Sequence, residues 1–273
     1  MNYWQYKISV EPRQSDILLA FLSELPFDTF EETEVGFNAY ISEKEDVVNI
    51  EATLSNIQDR HSFTYEKEII PHRNWNAEWE ASFQPVKVLN FCGIRADFHL
   101  PMQDVKHEII INPKMAFGTG HHETTFMMIQ AMRELSFRGA KVLDFGCGTG
   151  ILAILASKLG ASIIDAVDIE REAYDNTLEN AQINNVDNIQ VYHGTLDVIL
   201  DSAYDVVLAN INRNVILDAL PVLAEKIKRN GVLLLSGILQ EDRLIIETFA
   251  DDFRFTVDER LTRGNWACLK LLK

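Results

Sequence analysis

The sequence predicts an α/β fold, in which a doubly wound, mostly parallel sheet of seven strands follows a small α+β module. Beyond residue 140, short apolar runs alternate with helical segments, which is typical of parallel strands joined by crossover helices. The run KVLDFGCGTGILAIL (residues 141–155) combines a strand, a glycine-rich turn and a helix. Residues 1–70 instead show the order β-α-β-β-α-β, without such a turn.

Composition limits the class of protein before any motif is considered. The chain has 273 residues, of which 47% are hydrophobic, and a formal net charge of −16. This length suits one large or two modest domains, and no apolar run approaches the roughly 20 residues that cross a bilayer. The acidic balance disfavours nucleic acid as the main partner and would attract a basic protein. We therefore expect a monomer with a basic protein partner and no membrane partner.

The start of the chain and its cysteines indicate the compartment. MNYWQYKISV lacks the charged and apolar regions of a signal peptide. Cys92, Cys147 and Cys268 are widely separated and form no C-x-x-C pair, which argues against a disulfide framework or a zinc site. We therefore predict a cytoplasmic location.

Residues 1–70 form a self-contained pattern that predicts a ferredoxin-like domain. Its predicted strands are residues 3–10, 27–32, 36–42 and 63–70, and its predicted helices are residues 15–25 and 47–57. The pattern contains no candidate nucleophile, metal cluster or glycine loop. We therefore expect this domain to serve recognition of a substrate or assembly.

The second domain is predicted to span residues 71–273, after a hinge at Pro71. Its first part, residues 71–112, is predicted to hold a linker helix and added strands. Trp75, Trp79 and Phe83 repeat at helical spacing, which favours a helix that packs its aromatic side on the larger domain. The added strands are expected at residues 86–89, 94–98 and 108–111.

The spacing of the glycine-rich turn distinguishes two kinds of ligand. A dinucleotide fingerprint reads G-x-G-x-x-G, and its third glycine permits close packing beside a pyrophosphate. Gly146, Gly148 and Gly150 instead read G-x-G-x-G, and Ile151 stands where the third glycine would be. This spacing disfavours a dehydrogenase.

Two acidic residues accompany the turn. Asp144 ends the strand before it, and Asp168 ends the next strand, where an acid reaches the ribose hydroxyls of an adenosine ligand. A glycine turn alone could merely connect a strand and a helix, but the two acids favour ligand binding. The pattern D-x-G-C-G-T-G, followed one strand later by V-D, resembles the class I S-adenosylmethionine-dependent methyltransferases.

The rest of the chain continues the alternation. Strands are predicted at residues 189–192, 204–209, 231–236, 253–259 and 265–271, and helices at residues 171–184, 214–229 and 240–249. Pro221 suggests a break or kink inside its helix. Only a short turn separates the last two strands, so they should pair antiparallel at one edge of the sheet, as in class I methyltransferases.

A second unusual stretch is NPKMAFGTGHHETTFMMIQAM, residues 112–132. Thr124 and Thr125 open an apolar helix, and their hydroxyls can cap it or meet a ligand. The adjacent His121 and His122 invite a metal hypothesis. Two neighbouring histidines do not readily share one ion, and no third ligand lies at the usual spacing. We therefore predict no metal.

The strand at residues 204–209 leads into the loop Asn210-Ile211-Asn212-Arg213, where a class I fold presents the methyl acceptor. Enzymes that methylate base amines or glutamine amides carry N-P-P-Y or a close variant there. This loop has neither the prolines nor the aromatic residue, so we expect an aliphatic amine as acceptor. Asn210 could orient such an amine, although it could also be a capping residue.

Several segments are similar to those of the ribosomal protein L11 methyltransferases, the PrmA family. They are NPKMAFGTGHHETT, LDFGCGTGILAI, VDIE, the ANI of residues 209–211 and LSGIL of residues 235–239. The resemblance covers essentially the whole chain, including the amino-terminal domain. It implies transfer of methyl groups from S-adenosylmethionine to lysine or α-amino groups of a ribosomal protein, with substrate recognised by the small domain.

The same resemblance assigns roles to individual residues. The residues implied to bind the cofactor are Phe117, Gly118, Thr125, Gly146, Gly148, Asp168 and Asn210, and Asn210 is also implied to be the catalytic contact of the incoming amine. Within that set, Gly146 and Gly148 would approach the methionine moiety and Asp168 the ribose.

The chain departs from the family pattern at Lys114, Glu123 and the pair Asn212-Arg213, and these departures could alter acceptor preference. Two alternatives remain open, a lysine methyltransferase for a different protein and a cofactor-binding regulatory module without turnover. The sequence identifies no general base and does not say which amines are methylated.

Overall fold

A computed structural model describes residues 3–23, 25–33, 35–42, 47–58, 60–70, 84–112, 118, 120–200 and 203–273. The chain divides into two compact units, residues 1–82 and 83–273. The predicted aromatic helix around Trp75 and Trp79, the hinge at Pro71 and Phe117 lie outside the described residues. Among the helices that are described, none is long and apolar enough to cross a membrane.

The first unit contains four strands and two helices. They are β1 (Tyr3–Val10), α1 (Pro12–Leu22), β2 (Thr29–Thr33), β3 (Gly36–Ser42), α2 (Val47–Gln58) and β4 (Phe63–Ile70). The strands form an antiparallel sheet in the order β2-β3-β1-β4. With two helices in the β-α-β-β-α-β order, this is the ferredoxin-like topology.

Alternation along the strands builds the core of this unit. Tyr6 and Ile8 on β1 are buried and pack in one cluster with Leu18 of α1 and Leu54 of α2. The first helix begins at Pro12, three residues earlier than predicted, because proline fits the first helical position, where no N–H partner is needed. The second strand begins at Thr29 and not at residue 27 as predicted, because the Phe27 side chain packs against the core cluster.

The second unit begins with a three-stranded sheet, followed by a seven-stranded sheet and five described helices. The small sheet contains β5 (Val86–Val88), β6 (Cys92–Arg95) and β7 (His107–Ile110). The large sheet contains β8 (Lys141–Phe145), β9 (Ile163–Asp168), β10 (Ile189–His193), β11 (Tyr204–Asn210), β12 (Ile227–Leu239), β13 (Thr256–Arg263) and β14 (Trp266–Leu272). The helices are α3 (Glu123–Met132), α4 (Ile151–Lys158), α5 (Arg171–Ile183), α6 (Arg213–Lys226) and α7 (Arg243–Asp252).

The strand order of the large sheet is β10-β9-β8-β11-β12-β14-β13. Neighbours from β10 to β12 are parallel, and β14 runs antiparallel to both β12 and β13. The predicted seven-stranded sheet with an antiparallel edge is therefore confirmed. The direction of winding reverses between β8 and β11, and ligands bind at such a switch point in doubly wound folds.

Helices cover both faces of this sheet because its strands are apolar on both sides. On β8, Val142 belongs to the cluster that includes Met128 of α3 and Leu155 of α4. Leu143, the next residue, belongs to the cluster that includes Leu220 of α6. The buried sheet thus fixes the carboxyl ends of its central strands, where the cavity described below opens.

Some predicted boundaries were wrong. The helix α6 continues through Pro221 to Lys226, so the proline does not break it. The edge strand β13 begins at Thr256 rather than residue 253, because α7 extends to Asp252 and the chain turns at Arg254, where φ is +64°. The strand β6 lies two residues earlier than its predicted start, at Cys92.

Candidate functional site

A cavity of about 960 Å³ opens at the carboxyl ends of β8, β9 and β11. Four of the residues predicted to bind the cofactor line it: Gly146, Gly148, Asp168 and Asn210. It lies at the switch point of the sheet, and its volume is in the range of roughly 300–1,000 Å³ that is usual for small-molecule sites.

The glycine turn is held against the end of β9. The N–H groups of Gly146 and Cys147 donate to the Val167 carbonyl oxygen at 2.8 and 3.2 Å. Gly146 has a φ of +73°, and a Cβ atom there would lie 2.3 Å from Cγ2 of Ile211. Glycine at this position therefore lets the acceptor loop, residues 210–213, approach the turn closely.

Asp168 is fixed by backbone donors. Gly148 N–H donates to its Oδ2 at 2.9 Å, and Glu170 N–H donates to its Oδ1 at 3.0 Å. A carboxylate can accept about four hydrogen bonds. The side chain is therefore held in one orientation at the cavity wall and keeps capacity for two hydroxyl donors.

Asp144 lies beneath the turn and is 1% exposed. Ala153 N–H, in the first turn of α4, donates to its Oδ2 at 3.0 Å, while Oδ1 has no partner among the described residues. Burial raises the pKa of this carboxyl from 3.8 to about 7, the Ala153 bond opposes the rise, and the charge of Asp168 adds to it. The folded chain therefore favours the neutral acid more than the unfolded chain does.

Asp144→Asn is expected to make the cofactor-free protein more stable than its parent above neutral pH. The unfolded state loses the Asp144 proton near pH 3.8 and the folded state only near pH 7, so the carboxyl costs stability progressively as pH rises between these values. A pKa rise of this size corresponds to roughly 4 kcal/mol, at about 1.36 kcal/mol per unit. Urea unfolding of both proteins across this pH range measures the difference.

The matched control is Asp165→Asn. Asp165 is equally buried, but it accepts hydrogen bonds from the hydroxyls of Tyr204 and Tyr192 at 2.6 and 3.3 Å. Asparagine has one acceptor oxygen in place of two and leaves one of these hydroxyls without its acceptor, so this variant should destabilise the protein. A constant difference between Asp144→Asn and the parent at every pH would contradict the proposed state of Asp144.

Asn210 ends β11 and reaches across the switch point. Its Nδ2 donates to Thr125 Oγ1 at 3.2 Å. Its Oδ1 is buried and has no hydrogen-bond partner among the described residues. A buried carbonyl oxygen without a partner is costly, so a donor supplied to this atom would stabilise the site.

Two further predicted residues, Thr125 and Gly118, are not among those that line the cavity. Thr125 is fully buried behind Asn210, whereas its neighbour Thr124 lines the cavity. Gly118 is buried, and its carbonyl oxygen accepts a 2.6 Å hydrogen bond from Thr149 Oγ1 in the glycine turn.

Sequence reasoning missed an aromatic wall. Trp266, the first residue of β14, lines the cavity together with His122. Their rings meet edge to face, with centroids 4.8 Å apart. His122 also caps α3, because its Nδ1 accepts from Thr124 N–H at 3.3 Å. No local pattern marked Trp266, because it is far along the chain from His122.

The departures from the family pattern have structural roles. Asn212 caps α6, since its Oδ1 accepts from Val215 N–H at 3.1 Å. Arg213 forms a 2.6 Å ion pair with Asp242. Glu123 is the first residue of α3 and precedes the threonines. Neither of these two contacts involves Asn210, and Lys114 lies outside the described residues.

The charged residues of the cavity are acidic. Glu170 and Glu172 line it beside Asp168. Acidic walls attract positively charged ligands, such as a sulfonium or an ammonium ion. In the described part of the chain, no group of three or more His, Cys, Asp or Glu side chains could hold a metal ion.

The large sheet has this strand order with an antiparallel seventh strand, and a G-x-G-x-G turn bounds a cavity at its switch point. These features define a class I S-adenosylmethionine-dependent methyltransferase. Residues 14–273 match the family model described as "Ribosomal protein L11 methyltransferase (PrmA)". The chain belongs to this family, and it is a methyltransferase.

Relatives and a solved structure agree with this membership. The ribosomal protein L11 methyltransferase of Porphyromonas gingivalis is 42% identical over 93% of this chain and 89% of its own length. That of Phocaeicola vulgatus is 35% identical over 100% of this chain and 99% of its own. The crystal structure of ribosomal protein L11 methylase from Lactobacillus delbrueckii subsp. bulgaricus is 27% identical, with a TM-score of 0.62, and covers 69% of this chain and 98% of that one.

Proposed function

We propose that this chain transfers methyl groups from S-adenosylmethionine to aliphatic amines, lysine side chains or an α-amino group, of ribosomal protein L11. The observation that carries the proposal is Oδ1 of Asn210, which is buried at the cavity and unpartnered among the described residues. A carbonyl oxygen there can accept an N–H of an incoming amine. The relatives, which are ribosomal protein L11 methyltransferases, support the choice of substrate.

The cavity also fits the proposed cofactor, which supplies a methyl group bound to positively charged sulfur. Gly146 and Gly148 leave space for the methionine moiety, and Asp168 would accept hydrogen bonds from the ribose hydroxyls. The acidic Glu170 and Glu172 add favourable charge for a cation.

Catalysis in this site rests on positioning. A lysine amine with an ordinary pKa of about 10.4 must first lose a proton to solvent water. Desolvation in the cavity favours that loss, whereas the acidic residues of the wall oppose it. Asn210 would then orient the neutral nitrogen, whose lone pair attacks the methyl carbon in line with the breaking bond to sulfur. Trp266 and His122 would cover the alkyl chain of the acceptor.

The amino-terminal unit is proposed to recognise the substrate. Residues 1–70 carry fourteen acidic and five basic side chains, so they hold more than half of the net charge of −16. Opposite charges steer association, and ribosomal proteins are typically basic. We also propose that the chain acts as a monomer in the cytoplasm, without direct specificity for nucleic acid.

Asp168→Ala is expected to weaken binding of S-adenosylmethionine by roughly 10- to 100-fold, the usual effect of losing a hydrogen bond to a charged group. Isothermal titration calorimetry measures it. Asp168→Asn is the control, because an amide oxygen can still accept from Gly148 N–H. It should lie between the parent and the alanine variant, and unchanged affinity in Asp168→Ala would remove the ribose assignment.

A chain that begins at Phe83 is expected to bind S-adenosylmethionine and to fail to methylate intact ribosomal protein L11. Each unit has its own hydrophobic clusters, so the second unit can be expected to fold alone. Calorimetry and a methyl-transfer assay separate the two activities. Full methylation of the intact substrate by this shorter chain would contradict the recognition role.

A labelled methyl donor tests the class of acceptor. The parent chain is incubated with labelled S-adenosylmethionine and purified ribosomal protein L11, ribosomal RNA, or the remaining ribosomal proteins. Label is expected in ribosomal protein L11. Label in RNA would contradict the proposal, and label in a different ribosomal protein alone would favour a lysine methyltransferase with another substrate.

A further inference from the structure

Helix α5 buries a column of asparagines. Asn176, Asn180 and Asn184, at the C-terminal cap, follow at four-residue spacing and therefore share one face. They are 0%, 0% and 7% exposed. Amide side chains are buried at a cost unless they form hydrogen bonds, so their partners explain why they lie there.

One set of partners is the main chain at and after the end of β7. Asn184 accepts from Ile110 N–H at 3.0 Å and donates to Ile110 O at 2.6 Å. Asn180 Oδ1 accepts from Asn112 N–H at 3.0 Å, and Asn176 Nδ2 donates to Asn112 O at 2.9 Å. The side-chain amides thus provide residues 110 and 112 with the main-chain hydrogen bonds that a neighbouring strand would otherwise provide.

The second set of partners is the glycine turn. Asn180 Nδ2 donates to Thr149 O at 2.9 Å, and Thr177 Oγ1 donates to Gly148 O at 2.9 Å. Thr149 Oγ1 in turn donates to Gly118 O. Of the three asparagines, Asn180 is the one that bonds to both the turn and Asn112. It therefore connects the turn to residue 112 directly and to residue 118 through Thr149.

We propose that Asn180 is a positioning residue for the methyl-transfer site, which sets the glycine turn at the correct distance from residues 112 and 118. This inference rests on the proposed binding of S-adenosylmethionine at that turn. Without the Asn180 amide, the Thr149 carbonyl and the Asn112 N–H lose buried partners, and the turn loses its direct connection to residue 112. The site then has to be ordered when the cofactor binds, which lowers affinity.

The test compares Asn180→Ala with Asn184→Ala. Both remove a buried amide of the same face, but Asn184 bonds to Ile110 and to Asn180 O and not to the turn. Asn180→Ala is expected to raise the Kd and KM for S-adenosylmethionine by about tenfold or more. Asn184→Ala should lower the unfolding temperature similarly while leaving both constants within about twofold.

Thr149→Val provides a second variant if Asn180→Ala does not fold. It keeps the volume of threonine and removes only the hydroxyl that bonds to Gly118 O, so it should also raise the KM for S-adenosylmethionine. Thr149→Ser, which restores the hydroxyl, should recover the parent value. If the hydroxyl only stabilised the fold, Thr149→Val and Thr149→Ser would also differ in unfolding temperature. Equal unfolding temperatures with different KM values therefore indicate a positioning role.

The outcomes separate this inference from the proposed function. A parent chain that does not bind S-adenosylmethionine would overturn both. A parent that binds it, with Asn180→Ala binding equally well, would overturn only the role of Asn180, and Thr149→Val binding equally well would overturn its connection to residue 118. Equal losses of affinity in Asn180→Ala and Asn184→Ala would also overturn that role.

Discussion

Gly146→Ala is expected to lower kcat/KM for methyl transfer by about 100-fold or more, because a displacement of about 1 Å in an active site can cost that much. The new Cβ atom would lie 2.3 Å from Cγ2 of Ile211, a distance that real contacts do not show. The Ile211 side chain therefore has to give way, and we expect the acceptor loop to shift with it, including Asn210, its neighbour along the chain.

Gly139→Ala is the matched control. Gly139 has a φ of +72°, compared with +73° at Gly146, and nothing lies within 4 Å of the Cβ position. Both variants carry the same cost of about 1–2 kcal/mol for alanine in the left-handed region. Thermal unfolding and methyl-transfer kinetics of the two proteins are compared. Equal losses of activity would show that backbone strain, and not the contact with Ile211, is responsible.

Asn210→Ala is expected to lower kcat by about 100-fold, while the Kd for S-adenosylmethionine rises much less, because orientation of the acceptor is lost. The variant removes the one described side-chain oxygen that is both buried at the cavity and unpartnered. Rapid-quench kinetics under single-turnover conditions measure the chemical step apart from product release.

Thr125→Val tests whether the Thr125 hydroxyl holds the Asn210 side chain in its orientation. Valine keeps the shape of threonine and removes the Oγ1 acceptor of Asn210 Nδ2. It should therefore reduce kcat by about tenfold, less than removal of Asn210 itself. The proposed role of Asn210 would fail if Asn210→Ala lost cofactor affinity and kcat in equal proportion.

The fold could be predicted because its signals are local. Three such signals predicted the class of the sheet and its antiparallel edge: alternating strands and helices, a glycine turn and a short final turn. The predicted ends of helices and strands were less accurate where another local preference decided the boundary. For example, proline favours the first helical position, so α1 begins at Pro12. Pro221 does not break α6, because tertiary packing of this helix outweighs the local cost of a proline.

The site could be predicted only where its residues belong to a contiguous motif. Gly146, Gly148, Asp168 and Asn210 stand at the ends of strands, and the structure brings them to one cavity. Trp266 was missed because its position depends on pairing of β14 within the sheet.

The asparagines of α5 escaped detection for a different reason. They lie on the buried face of their helix, and hydrophobic periodicity marks buried faces by apolar residues. A polar face that is buried against main chain looks, in sequence, like a face exposed to solvent. Only the tertiary partners, Asn112 and Thr149, reveal what Asn180 contacts.

The most direct test of the central claim is mass-spectrometric mapping of ribosomal protein L11 after reaction with the purified full chain and S-adenosylmethionine. We expect methyl groups on lysine ε-amines or on the α-amino group, and we expect them to be lost with Asn210→Ala. Methyl groups on a glutamine amide, or an unmodified ribosomal protein L11 in the presence of an enzyme that binds S-adenosylmethionine, would contradict it.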